Sequence, residues 1–238
     1  MITTGAQLST FITSLNAEAA IDVDLLETLV DNARTVIEEE RPWMALRKTD
    51  SSKTVTTANT WQTAIDLSTI SDFSRFYMNQ DGVVIKLFDG NSRIQYIRLK
   101  AFDQRLEYKD VSDTAVYDAN AKMLYINGTV SFAGTLHIPY MATSPAIDLA
   151  LETAVWTNFP ARFLPVLGYY AIQIWKGAID YDSINREMLP ENRATFTALK
   201  DAMIRWDNEM QLNALQSNDP TEFPGGYPRL GVVDRWNT

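Results

Sequence analysis

The order of its segments constrains this chain most. Residues 3–41 carry helical periodicity, residues 43–141 read as short strands, and residues 148–216 return to a helical pattern. A Pro- and Gly-punctuated tail closes the sequence. Strands gathered in one block between helical flanks predict an α+β chain. The expected architecture is a helical bundle formed by the N- and C-terminal helices, residues 1–42 and 145–216. An antiparallel β-sandwich or barrel module, residues 43–144, is inserted into it. Residues 217–238 form an extended C-terminal tail.

Within the first block, Asp22 caps a helix running to about Arg41. Leu25, Leu26, Leu29, Val30, Ala33, Val36 and Ile37 recur at three- and four-residue steps and define one apolar face. Asp24, Glu27, Asp31, Arg34 and Glu38 form the opposite stripe. Pro42 has no N–H to donate and disfavours helical geometry at Arg41, so the helix stops there. A shorter helix is expected over residues 5–15, with Leu8, Phe11, Ile12 and Leu15 facing inward.

In the middle block, Val83–Phe88 and Arg93–Leu99 flank Asp89-Gly90-Asn91 and read as a hairpin. Met123–Ile126 and Thr129–Phe132 flank Asn127-Gly128 and read as a second. Asp81-Gly82 marks a turn after Phe73–Met78. Gly134–Tyr140 is a last strand, with Pro139 pushing its end toward a sheet edge. Residues 54–57 and 61–67 are further strand candidates, and 100–107 a single helical turn.

After Pro145, a short helix is expected over residues 149–159. A second, about 163–180, is apolar on most sides and therefore central. In the last helix, Glu191 to about Gln216, residues Phe196, Leu199, Met203, Trp206 and Met210 follow 3, 4, 3, 4 spacing, a seam for packing on a neighbouring helix. The tail is irregular yet aromatic. Phe223, Tyr227, Leu230 and Trp236 are its expected anchors on a partner.

Charge and composition narrow the function. The net charge is −9, which argues against gripping nucleic acid by neutralising phosphates. Residues 1–41 hold eight acids and two bases, residues 42–141 ten and eleven, residues 142–238 twelve and eight. The acidity therefore sits in the helical blocks. There is no cysteine, hence no disulfide or thiol chemistry. The N-terminus lacks a secretion signal, and no run approaches the roughly 20 apolar residues that cross a bilayer. The Asn127-Gly128-Thr129 sequon therefore reads as a turn.

Catalytic constellations are not evident. His137 is the sole histidine, so neither a multi-histidine metal site nor a Ser-His-Asp triad is expected. No glycine-rich phosphate cradle is present. Carboxylates cluster at Asp180, Asp182 and Glu187, and again at Asp110, Asp113 and Asp118. Paired carboxylates are the equipment of glycan cleavage, but an acid-rich chain produces such clusters by chance. The β block also holds Trp61, Phe73, Phe76, Tyr77, Tyr96, Tyr108 and Tyr117. Stacking aromatics would suit a carbohydrate- or receptor-binding module of a phage tail; core-filling aromatics are the plainer reading. No enzyme activity, cofactor or metal is expected.

One stretch carries a family likeness. Val155-Trp156-Thr157-Asn158-Phe159-Pro160-Ala161-Arg162-Phe163-Leu164-Pro165-Val166-Leu167-Gly168-Tyr169-Tyr170-Ala171, with the later Met203-Ile204-Arg205-Trp206-Asp207, resembles the C-terminal helices of tailed-bacteriophage head-to-tail connector (adaptor) proteins. The Leu25-Leu26-Glu27…Ala33…Ile37 helix leading into the β block resembles them too. The resemblance implies a structural virion protein made in the host bacterial cytoplasm and placed in the neck. It would form a homo-oligomeric ring, commonly of twelve copies, beneath the portal protein and above a downstream tail or nozzle protein. DNA would pass through the ring without specific binding, with no membrane partner. On that reading the stripe Asp24, Glu27, Asp31 and Glu38 is the candidate lumen-facing or inter-subunit surface. The tail would reach into the portal.

Overall fold

The computed structural model describes residues 1–15, 21–78, 82–179 and 190–216. The chain is mixed α+β, with five helices and eight strands among the described residues. It divides into two compact units. One comprises Met1–Leu46 with Thr143–Asn213; the other contains Arg47–Ala142.

The helical unit opens with α1 (Gly5–Leu15). Thr4 Oγ1 accepts from Gln7 N at 3.2 Å, and Gln7 Oε1 accepts from Thr4 N at 3.4 Å. This reciprocal cap satisfies N–H groups that have no partner inside the helix. In α2 (Val23–Glu40), Asp22 caps the first turn by accepting from Asp24 N and Leu25 N. Arg41 turns extended before Pro42 and ends it. Leu26, Leu29, Val30, Ala33 and Ile37 are buried, whereas Leu25 and Val36 are each 45% exposed. The apolar face is therefore narrower than the sequence pattern suggests.

Residues 149–159 do not form the expected helix. Thr4 bridges Ala154 in antiparallel fashion, Ala6 N donates to Leu151 O, and Val155 N donates to Thr3 O. Pairing with the N-terminal segment engages part of this backbone, the remainder forms turns and bends, and tertiary context overrides local propensity. A Cβ on Gly5 would stand 2.1 Å from Asp148 O, so only glycine permits this approach. Helix α4 (Pro165–Ile179) follows, with proline in its first turn. Val166, Leu167 and Ala171 are fully buried, and Phe11 of α1 meets Tyr169 edge-to-face at 5.3 Å. In α5 (Pro190–Gln216) the seam residues Phe196, Leu199, Met203, Trp206 and Met210 are all at least half-buried. Phe196 stacks on Tyr170 at 5.9 Å, and Trp206 lies 5.7 Å from Phe163.

The β unit contains β1 (Arg47–Val55), β2 (Ala64–Asp66), β3 (Phe73–Phe76), β4 (Val84–Phe88), β5 (Ile94–Lys100), β6 (Thr114–Asp118), β7 (Met123–Ile126) and β8 (Gly134–Ala142). They join in the order β1-β8-β4-β5-β6-β7-β2, with β3 also paired to β8. Every strand contributes to one interior cluster, from Val55 and Ile65 through Ile85, Leu87, Ile97 and Leu124 to Leu136 and Ile138. The sheet curls around that cluster into a nearly closed, barrel-like form.

The module is not wholly antiparallel as expected. β5 and β6 run parallel, Arg98–Lys100 beside Thr114–Val116. Parallel neighbours need a crossover of a dozen or so residues. Residues 101–113 supply it, with a 3-10 turn at Phe102–Gln104 and the short α3 (Arg105–Tyr108). The β4–β5 hairpin forms around Asp89, whose Oδ1 accepts from the N–H groups of Asn91, Ser92 and Arg93.

The Asn127-Gly128 hairpin does not form. β7 pairs with β6 and β2 instead. Asn127 N donates to Thr114 O, and Gly128 N donates to Lys109 O. Gly128 has φ +62°, and a Cβ there would stand 2.7 Å from Ser112 N. Gly128 is a left-handed corner pressed onto the crossover, and Val130 beyond it is buried in the core.

Pro139 does not mark an edge, since β8 is central: β1 lies along one side, β4 and then β3 along the other. Pro139 O accepts from Tyr77 N at 3.2 Å. The C=O and N–H of one strand residue point the same way, so the missing N–H faces the β3/β4 side. β4 pairing ends at His137 and β3 pairing begins at Tyr140. The proline occupies the gap where no ladder donor is needed.

Candidate interaction surfaces

The acidic stripe of α2 is not one surface. Asp24 is exposed. Glu27 is half-buried, and its Oε1 accepts from Leu149 N at 3.1 Å. Asp31 takes two hydrogen bonds from Arg34, from Nε at 2.7 Å and Nη2 at 3.1 Å. Glu38 is only 5% exposed and belongs to the core of the unit.

Glu38 is the centre of a buried polar network. Its Oε2 accepts from Arg34 Nη1 and Ser144 N, both at 3.1 Å, and its Oε1 accepts from Trp156 Nε1 at 2.8 Å. Arg34 Nη1 donates further to Ser144 O at 2.9 Å and Thr143 Oγ1 at 3.0 Å. Burial works against the Arg34 charge. The hydrogen bond to Asp31 and the charges of Glu38 and Asp31 outweigh it and hold the guanidinium above its ordinary range. Trp156 sits at φ +54°, unusual for a bulky residue. Its indole bond to Glu38 and its contact with Phe159, 4.3 Å between centroids, hold that geometry.

Asp207 on α5 is a second buried carboxylate, fully shielded from solvent. It accepts from Met44 N at 2.6 Å and Gln211 Nε2 at 3.0 Å, and forms an ion pair with Arg41 Nη2 at 2.9 Å. Arg41 also lies 4.9 Å over the ring of Trp43, whose own N–H donates to Ile37 O. Residues 156–163 and 206–207 thus converge: Trp156 on Glu38, Phe159 against Trp43 and Trp156, Trp206 against Phe159 and Phe163, Asp207 on the turn after α2.

On the β unit, the inward Ile85, Leu87 and Ile97 alternate with outward Lys86, Phe88, Ile94, Tyr96 and Arg98. Lys86 stands opposite Tyr96 on one side and His137 on the other. Its ammonium lies 5.8 Å over the Tyr96 ring, and burial pushes its pKa down. His137 is half-buried and meets Phe88 edge-to-face at 6.0 Å. Ile94 and Tyr96 are 48% and 55% exposed. No acid pairs with Lys86 or Arg98 among the described residues.

The β-block aromatics sit in different settings: Tyr96 is exposed, whereas others pack inside the unit. Phe73, Phe76 and Tyr117 pack on one another at 4.9–5.8 Å. The Arg105 guanidinium covers one face of Tyr125 at 3.8 Å and of Trp61 at 5.2 Å. Among the described residues no cluster of three or more His, Cys, Asp or Glu is placed to hold a metal, and no helix is long and apolar enough to cross a membrane. Asp110, Asp113 and Asp118 are dispersed in role. Asp113 accepts from Gln95 Nε2 at 2.6 Å, Asp118 accepts from the N–H groups of Asn120 and Ala121, and Asp110 is exposed. Asp180, Asp182 and Glu187 lie outside the described residues, as do the tail anchors Phe223, Tyr227, Leu230 and Trp236.

The two buried carboxylates were not foreseen. A signal for Glu38 existed: Leu26, Val30, Arg34 and Glu38 follow at steps of four, and all four are buried. A ladder that begins apolar and ends in an ion pair of opposite charge reads as a core stripe closed by a buried bridge. The outward row of the β unit depends on register between strands, which sequence spacing does not supply. The chain matches no protein-family model and no curated protein sequence.

Proposed function

We propose that this chain is a structural virion protein: a head-to-tail adaptor whose copies form a ring joining the portal to the tail. The ring, commonly of twelve, forms part of the conduit for DNA in the neck of the virion. The observation that carries this reading is the convergence of the connector-like residues. Trp156, Phe159 and Phe163 come from one segment and Trp206 and Asp207 from a later helix, yet Trp206 packs against Phe159 and Phe163 while Asp207 holds the turn after α2 beside Trp43, which meets Phe159. That is what a packing signature should do if the resemblance reflects a shared helical core.

The mechanism is physical. A subunit that presents one surface to a different surface on the next copy generates a ring when the rotation closes. Net negative charge suits the wall of a DNA conduit, because tight phosphate binding would hinder passage. The tail residues Phe223, Tyr227, Leu230 and Trp236 serve as anchors on the portal.

Deleting residues 217–238 tests the attachment. The truncated chain is expected to keep the circular dichroism and cooperative unfolding of the full chain but to lose co-sedimentation with a portal ring. Undiminished portal binding by the truncated chain would remove the tail from the account.

A further inference from the structure

We propose that the outward row of β4 and β5 docks onto the exposed side of α2 in a second copy of the chain. This rests on the ring reading above and names the surfaces that would form its contact.

Three observations carry the pairing. The first is exposure of apolar area on two separate surfaces. Ile94 and Tyr96 stand out from the sheet, and Leu25 and Val36 stand out from α2. On α2, Leu25, Thr28, Asn32, Val36 and Glu39 are all exposed at steps of three and four, so they line one side of the helix. The second is charge complementarity. The sheet row carries Lys86 and Arg98 with no acid between them, while the exposed acids of α2 include Asp24 and Glu39; Glu40 is already paired with Lys200 at 2.8 Å. Complementary charge across a contact favours one partner and orientation over others. The third is discrimination between helices. On the exposed side of α5, Arg193 and Arg205 balance Asp201 and Glu209, so α5 offers the sheet no net attraction. Aliphatic Ile94 beside Tyr96 suits a protein surface better than a nucleic acid, which would want stacking rings in sequence.

The two surfaces differ, so the contact is heterologous: each copy gives a sheet to one neighbour and a helix to the other. That permits a test by charge exchange. In Lys86→Glu/Arg98→Glu every self-contact sets acid against acid. In Asp24→Lys/Glu39→Lys every self-contact sets base against base. Mixed together, each sheet meets a helix of opposite charge in both kinds of contact.

The expected result, by sedimentation velocity or mass photometry on the full chain with portal ring present, is that each variant alone assembles at least about tenfold more weakly than the parent. The equimolar mixture recovers assembly. Circular dichroism of each variant should match the parent. Should the half-buried Lys86 not accept a carboxylate, Arg98→Glu and Glu39→Lys ask the same question at exposed positions only. Either variant assembling as the parent does, or a mixture that fails to recover, would overturn the pairing while leaving the ring reading standing. A parent chain that never assembles would instead overturn the ring reading itself.

Discussion

Glu38→Met is expected to lower the unfolding free energy by about 3–5 kcal/mol, the cost of breaking a buried ion pair by removing one partner. The carboxylate serves three donors at once: Arg34 Nη1, Ser144 N and Trp156 Nε1. Methionine fills the volume but accepts from none of them. The Arg34 guanidinium keeps Asp31 and the carbonyl of Ser144, yet loses the more deeply buried of its two acids. A buried donor left without an acceptor carries its desolvation cost in full. The shift is read from the urea midpoint at constant slope. Arg34→Met/Glu38→Met refines the result. Removing the guanidinium removes a buried cation left with only the partly exposed Asp31, so the double variant should be more stable than Glu38→Met alone. It should still fall short of the parent, because the N–H groups of Trp156 and Ser144 remain unpaired. A single variant as stable as the parent would mean that the network contributes nothing.

Asp207→Ala is expected to have a comparable effect, by the same buried-charge argument. Arg41 Nε already has no hydrogen-bond partner. Without Asp207 its Nη2 retains only Asn208 Oδ1 at 3.0 Å. Met44 N, at 2.6 Å from the carboxylate, loses its acceptor as well. Asp207→Asn keeps an oxygen for Met44 N but sets an amide N–H₂ or a neutral oxygen against the guanidinium. Stability should therefore fall in the order parent, asparagine, alanine. The location of the loss is also specific. Asp207 holds α5 to the turn after α2, so amides of residues 192–213 should exchange faster in the alanine variant, before those of α2. Uniform acceleration across both helices would argue against this anchoring role.

Some of this architecture was readable from local signals. The Asp22 cap, the Pro42 stop, the spacing in α2 and the 3, 4, 3, 4 seam of α5 each act within a few residues. Their outcome does not wait on the rest of the fold. The β4–β5 hairpin was legible for the same reason. The misreadings share the opposite cause. Residues 149–159 have helix-compatible sequence, but pairing with Thr3–Ala6 claims their backbone. Asn127-Gly128 has the chemistry of a hairpin turn, but bonds to Lys109 of the crossover and Thr114 of β6 are what fix it. The missing donor of Pro139 points to an edge, yet the gap between β3 and β4 accommodates it in a central strand. The acidic stripe failed in the most instructive way. Asp24 and Glu38 follow the same helical pattern, but Trp156 and Ser144, over a hundred residues on, draw one of them inside.

The mass and symmetry of the full chain mixed with a tailed-phage portal ring test the central claim most directly. The account predicts a closed ring of this chain, coaxial with the portal, visible by electron microscopy and by a mass that is an integer multiple of 26.9 kDa added to the portal. A chain that remains a single 26.9 kDa species in that mixture, with no density on the portal, would contradict it.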